Sequence, residues 1–366
     1  MGAGVNGRTE LSQARRIVVK IGSRMLASDP EMIPRLAGDV AELRAAKRSV
    51  VIVTSGAIAI GCHRLGYGSR PKETARLQAA AAAGQSVLMR RYDEAFATLG
   101  VTTAQVLLTH ADLADRERLN NARGALAALL DAGAVPIVNE NDTVSTEEIY
   151  FGDNDQLAAM VAPLVSAELL VLLTDVDGVL DPSGARISVM ASDDSAKVLP
   201  SAAVRMGSGG IESKIDAARK ACRAGASVVI APAAISGILG MIVRGDDVGT
   251  LFPCVEAPLR ARQHWIAYTL RPRGTLVIDA GATTAIRSGK ASLLPIGVIG
   301  VRGEFEAGDA VRIAAPDGSE IGRGLTRLGA LDAARAAGKK GRELEAVLGS
   351  GTAETVLVHK DDLVVA

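Results

Sequence analysis

The chain has 366 residues, 48% of them hydrophobic and 2% aromatic, with 41 Lys and Arg against 41 Asp and Glu. That length allows two domains or one large one, with apolar content ample for a sizeable core. A formal charge of zero argues against a strongly anionic polymer as partner, and so few aromatics leave little platform for stacking unpaired bases.

The opening MGAGVNGRTELSQARR has no apolar run of a secretory signal, and Asn6 breaks the myristoylation pattern, so residues 1–13 are expected to be a flexible N-terminus. Five short, continuously apolar runs then read as strands: RIVVKIG (16–22), RSVVIVTSG (48–56), VPIVNEND (135–142), ELLVLLTDVDG (168–178) and ASVVIAP (226–232). Strands apolar throughout suggest a sheet covered on both faces. Alanine-rich helical patterns lie between them: Met32–Ala46, Thr74–Thr98, Asp115–Ala132, Asn154–Val165 and Ser213–Ala224, with Gly133 and Gly225 as helix-ending glycines. This alternation predicts an α/β fold, a three-layer αβα sandwich with a mostly parallel central sheet. The longest apolar run, Leu157 to Leu173, contains Pro163, Ser166 and Glu168 and reads as a helix followed by a strand, not a membrane span.

The character changes near residue 271. TLVIDAG, IGVIGV, DAVRIAA-PDG-SEIGRG and TVLVHKDD are short strands with turn signals, and Pro316-Asp317-Gly318 reads as a hairpin turn. The expected division is an α/β domain over 14–262, a linker over 263–272 and a small β-rich domain over 273–366.

Ligands of open parallel sheets bind beyond the carboxyl ends of the strands. There the sequence places Lys20 and Gly22, then Thr54-Ser55-Gly56, then Asn139 to Asp142, then Thr174-Asp175. A lysine ending an apolar strand either snorkels to water or aims its ammonium at a phosphate. The loop RMGSGGIESK (205–214) supports the second alternative, because its glycines permit close backbone approach and a helix starting near Ser213 would direct N–H groups at an anion. Lys214, in that helix's first turn, is disfavoured by the helix dipole and calls for an anion nearby. The loop is not a GxxxxGK[ST] phosphate loop, nor does GxGxxG follow the first strand. In GDNDQLA (152–158), Asp153 with Gln156 has the spacing of a capping box, which leaves Asn154 and Asp155 unexplained. Three cysteines (62, 222, 254) without CxxC and four histidines without ligand spacing give no metal-site pattern and fit a reduced, cytoplasmic setting. Any ion among these carboxylates would be a hard one such as magnesium.

In this order, VVKIGS, VIVTSGAIAIG, DRERLNNARGAL, VPIVNENDTV, FGDNDQLAA, LLTDVDGVL and GSGGIESK resemble the amino acid kinase family, and within it the members that phosphorylate glutamate. The tail, with GTLVIDAGATTAI and SLLPIGV, resembles a PUA domain. The resemblance covers nearly the whole chain. It implies transfer of phosphate from ATP, with Mg2+, to the γ-carboxylate of L-glutamate as the first step of proline biosynthesis, with proline as an inhibitor and a dimer or tetramer as the assembly. It assigns Lys20, Lys214 and Asp155 to catalysis, Ser55, Asp142 and Asn154 to glutamate, and Lys20, Thr174, Asp175, Ser208, Gly209, Gly210, Ile211, Glu212, Ser213 and Lys214 to ATP. Where family members often read Thr-Gly-Gly-Met-x-Thr-Lys, this chain reads Ser-Gly-Gly-Ile-Glu-Ser-Lys. The alternatives are a family member acting on N-acetylglutamate, aspartate, carbamate or a nucleoside monophosphate, or an RNA-binding PUA protein. Residues 271–366 carry 13 Lys and Arg and 12 Asp and Glu, a net 13 − 12 = +1, which offers little counterion-release affinity for RNA.

Overall fold

The computed structural model describes residues 7–144, 154–191, 210–254 and 259–365. The chain forms two compact units, Met1–Pro258 and Leu259–Ala366.

The first unit is built on a seven-stranded sheet. Its strands are β1 (Arg16–Lys20), β2 (Ser49–Val53), β3 (Thr103–Leu108), β4 (Val135–Glu140), β5 (Leu169–Thr174), β6 (Ser227–Pro232) and β7 (Thr250–Phe252). Their order across the sheet is β3-β4-β2-β1-β5-β6-β7. All neighbours are parallel except β7, which runs antiparallel to β6. The side-chain period of two divides each strand between two cores. Ile17, Val19, Ile52, Ile137 and Val171 enter one, with Leu88, Tyr92 and Phe96 from the helix Thr74–Ala97. Val18, Val51, Val138, Leu170 and Leu172 enter the other, with the helices Asn154–Leu164 and Ile211–Arg223. The result is the expected three-layer sandwich. Strands β3 and β7 were absent from the sequence-based expectation.

The strand order decides where a ligand can sit. From β1 the chain moves outward to β2, then to β3 and β4, and then returns to β5 on the other side of β1. Connections diverge on either side of β1, which opens a crevice beyond its carboxyl end. Glycines set the close packing of one wall. A Cβ on Gly84 would lie 1.8 Å from the Ala57 carbonyl oxygen, and one on Gly61 would lie 1.7 Å from that of Ala80. The helices Ala57–Arg64 and Thr74–Ala97 therefore touch backbone to backbone.

Several local expectations change. Residues 7–13 are helical, and buried Arg8 donates to the carbonyls of Ser188, Asp246, Val248 and Gly249. The capping box expected of Asp153 with Gln156 lies outside the described residues, because Asp153 does; Gln156 itself donates to Asp216 Oδ2 at 2.9 Å and accepts from Lys220 Nζ at 2.6 Å. Gln156 joins the helix Asn154–Leu164 to the helix Ile211–Arg223.

In the second unit five strands, β8 (Gly274–Ile278), β9 (Val298–Gly303), β10 (Ala310–Ala314), β11 (Glu320–Thr326) and β12 (Val358–Val365), form a sheet in the order β12-β11-β10-β8-β9. The expected hairpin joins β10 to β11, with Gly318 at φ +86 and Asp317 accepting from Ser319 N at 2.9 Å. Residues 261–269, inside the stretch expected as a linker, are helical and are fastened to this unit by Arg262–Asp362 and by Arg323 on the Ala267 carbonyl. Among the described residues no helix is long and apolar enough to cross a membrane.

Candidate active site

Four neighbouring strands, β4, β2, β1 and β5, end on one edge of the parallel sheet. Three strand spacings span about 14 Å. Asn139, Thr54, Lys20 and Thr174 mark these ends in order, and all four side chains are buried.

Val18 enters the core beneath the helices Asn154–Leu164 and Ile211–Arg223, so Lys20, two residues on, points the same way. There Lys20 Nζ lies 2.6 Å from Asp155 Oδ1, and Lys214 Nζ lies 2.8 Å from Asp155 Oδ2. Asp155 is 0% exposed, Lys20 5% and Lys214 7%. Burial alone would raise the Asp155 carboxyl, but the two ammonium groups overcome it and hold it below the usual carboxylate range. The three side chains sum to one positive charge, placed beside the start of a helix. Gly210 caps that helix without a side-chain bond, and the hydroxyl of Ser213 in its first turn is buried with no hydrogen-bond partner among the described residues. Two buried ammonium groups, helix N–H groups and the Ser213 hydroxyl suit a polyanion such as a nucleotide phosphate chain.

Asn154, one residue before Asp155, turns to the other side of the crevice. Its amide nitrogen donates to the Thr54 carbonyl and, at 2.8 Å, to Asn139 Oδ1. This ties the helix start to the turn that carries Ser55 and Gly56, where Gly56 takes φ +101. Tyr92, fully buried, bonds the Thr54 hydroxyl at 2.9 Å from the opposite face of the sheet. Asp142 is half-buried on the turn after β4, and burial pushes its carboxyl up to about 6 against the opposing pull of Arg70. Thr174 donates to Asp175 at 3.2 Å, and Asp175 pairs with Arg24 at the exposed rim, also at 3.2 Å.

The structure thus joins Lys20, Asp155 and Lys214 directly and places Asn154 against the turn of Ser55. Thr174, Asp175, Gly210, Ile211, Glu212 and Ser213 stand at strand and helix ends, while Ser208 and Gly209 lie outside the described residues. Among the described residues no hydrogen bond or ion pair joins Ser55 or Asp142 to the other site residues. Among those residues, too, no group of three His, Cys, Asp or Glu side chains could hold a metal ion. Sequence reasoning missed Gln85, which accepts from Asn139 Nδ2 at 2.8 Å, and the bridging role of Gln156. A glutamine on an alanine-rich helix gives no signal of such a partner.

A buried lysine pair at the divergence point of a parallel sheet suits phosphoryl transfer, and a match to the amino acid kinase family model covers residues 15–232. A PUA domain model matches residues 274–348. The chain belongs to the amino acid kinase family and carries a PUA domain. Curated relatives named glutamate 5-kinase match it almost end to end. The one from Cupriavidus metallidurans is 44% identical over 97% of this chain and 98% of its own length. Those from Pelobacter propionicus and Stutzerimonas stutzeri are 43% and 45% identical, over 96% and 98% of this chain and 97% and 99% of their own.

Proposed function

We propose that this protein transfers the γ-phosphoryl group of ATP to the γ-carboxylate of L-glutamate, giving L-glutamyl 5-phosphate and ADP. The observation that carries the reading is the buried Lys20–Asp155–Lys214 group, in which two ammonium groups share one carboxylate. The names of the near full-length relatives supply the substrate.

The chemistry asks little of the protein beyond position and charge. A glutamate side chain, with a pKa of about 4.3, is already an ionised nucleophile at neutral pH, so no general base is required. The obstacle is the meeting of a carboxylate, a phosphoryl group and a departing ADP, all negative. Lys20 and Lys214 neutralise the oxygens in transit, and Asp155 holds the two ammonium groups apart and aimed. The helix start at Gly210 to Lys214, with Ser213, receives the phosphate chain, and Thr174-Asp175 faces the nucleotide. Asp142 takes the α-ammonium of glutamate, and Asn154 and the turn of Ser55 orient the amino acid. Both Asp155 oxygens are engaged by lysines, so Asp155 would not serve as a ligand to the Mg2+ that accompanies ATP, and that ion would supply further charge neutralisation to the phosphates.

The product is the activated acid from which proline biosynthesis starts, and proline shares the cationic nitrogen and carboxylate that Asp142 and its neighbours would hold. Proline is therefore proposed as an inhibitor at or beside the glutamate position. The test is ATP-dependent ADP release with L-glutamate, L-aspartate, N-acetylglutamate, carbamate and a nucleoside monophosphate in parallel, with and without proline. Turnover with glutamate alone is expected; turnover with another acceptor and none with glutamate would replace the substrate while keeping the family.

A further inference from the structure

The side-chain amides beside the site form a chain with a defined direction. Amide nitrogen and oxygen are normally assigned from their surroundings, and here two backbone groups settle them. The Thr54 carbonyl can only accept, so Asn154 meets it with Nδ2. The Glu140 N–H can only donate, so Asn139 meets it with Oδ1, at 3.0 Å. Asn154 Nδ2 also donates to that Oδ1 at 2.8 Å, which leaves Asn139 Nδ2 to donate to Gln85 Oε1 at 2.8 Å. The chain ends at Gln85 Nε2. That group can only donate, it is buried, and it has no partner among the described residues.

We propose that Gln85 orients the substrate: its Nε2–H groups receive an oxygen of the α-carboxylate when glutamate binds. The inference rests on the glutamate reading above. The lysine pair faces the phosphoryl group in transit, so the reacting carboxylate lies at that end and the second carboxylate of the same molecule falls toward the amide end of the crevice. Asn139, the middle member of the chain, stands three residues before Asp142, the proposed partner of the α-ammonium. A buried donor without an acceptor is costly, and one kept in a native fold calls for a functional or bound partner. Gln85 is also held rigidly. Gly84, its neighbour, is in backbone contact with Ala57, and Tyr92, seven residues on along the same helix, is fastened to Thr54.

The experiment compares L-glutamate with its α-carboxamide, which keeps the γ-carboxylate and the α-ammonium, in the wild type and in Gln85→Glu. The variant keeps an oxygen for Asn139 Nδ2 but replaces the outward donor by a carboxylate, which repels the α-carboxylate and accepts from the α-carboxamide. The ratio of kcat/KM for glutamate over the α-carboxamide is expected to fall by at least about tenfold, through KM for the amino acid, with KM for ATP unchanged. A merely structural role would slow both substrates together, and a ratio within about twofold of wild type would overturn the proposal. If Gln85→Glu shows no cooperative melting transition, Gln85→Met removes the donor without adding charge. The same ratio is then expected to fall, and an unchanged ratio overturns the proposal equally. Failure of the glutamate reading itself is visible separately, as a wild-type enzyme inactive on glutamate.

Discussion

Asp155 stabilises two ammonium groups with one carboxylate, and replacing it separates charge from shape. Asp155→Asn keeps the volume but removes the negative charge that two nearly buried ammonium groups share. Breaking a buried pair from one side costs about 3–5 kcal/mol, and losing a preorganised electrostatic group costs roughly 10²–10³ in rate. Both losses are expected in this variant, read by urea denaturation and by kcat. Asp142 behaves in the opposite sense. Its carboxyl is pushed up to about 6 by burial, so the native state favours the protonated form. The stability associated with that proton is fully present below about 4 and is lost as pH rises through about 6. Asp142→Asn is therefore expected to stabilise the ligand-free protein at pH 7 by about 1–3 kcal/mol, an advantage that disappears below pH 4. The same variant should lose affinity for glutamate. In the wild type, KM for glutamate should climb as pH falls below about 6, when Asp142 can no longer offer a charge to the α-ammonium. A flat profile between about pH 5 and 8 would remove Asp142 from that role.

At the scale of elements, the site depends on how closely the helix Thr74–Ala97 approaches the turn after β2. Gly84 and Gly61 permit that approach. Gly84→Ala places a methyl carbon against the Ala57 carbonyl oxygen and is expected to destabilise by about 1–3 kcal/mol, as overpacking does. Because Ala57 follows Ser55 and Gly56, the same change should raise KM for glutamate while leaving KM for ATP near its wild-type value. The elements also show what the sequence discloses. The five apolar strands of the core were legible because each is buried on both faces and ends in polar residues with a reason to be there. β3 escaped because Thr103, Gln105 and Val106 occupy a half-buried edge strand whose pattern neither alternates nor stays apolar. β7 has only three residues. Lys20, Asp155 and Lys214 could be found from strand and helix ends, each unusual where it stands. Gln85 could not, since its bond to Asn139 joins residues 54 apart and a polar residue on a helix ordinarily faces water.

At the scale of the whole molecule, every described site residue lies in the unit Met1–Pro258, which has two cores of its own. The unit Leu259–Ala366 has a separate core around Leu276, Val311 and Ile313. A chain ending at Pro258 is accordingly expected to fold and to phosphorylate glutamate, with kcat within about tenfold of the full chain. Loss of activity in such a fragment, with a cooperative melting transition retained, would give the PUA-bearing unit a part in catalysis that no described site residue suggests.

In the proposed reaction the acceptor is a carboxylate and the product an acyl phosphate. Hydroxylamine traps acyl phosphates, so the most direct measurement is hydroxamate formation from the purified full-length protein with Mg-ATP and L-glutamate. L-Aspartate, N-acetylglutamate and a blank without amino acid would be run in parallel. ATP-dependent hydroxamate is expected from glutamate alone, and is expected to be abolished in Lys20→Met and in Lys214→Met. Folded protein that binds ATP yet yields no hydroxamate from glutamate would contradict the proposed reaction.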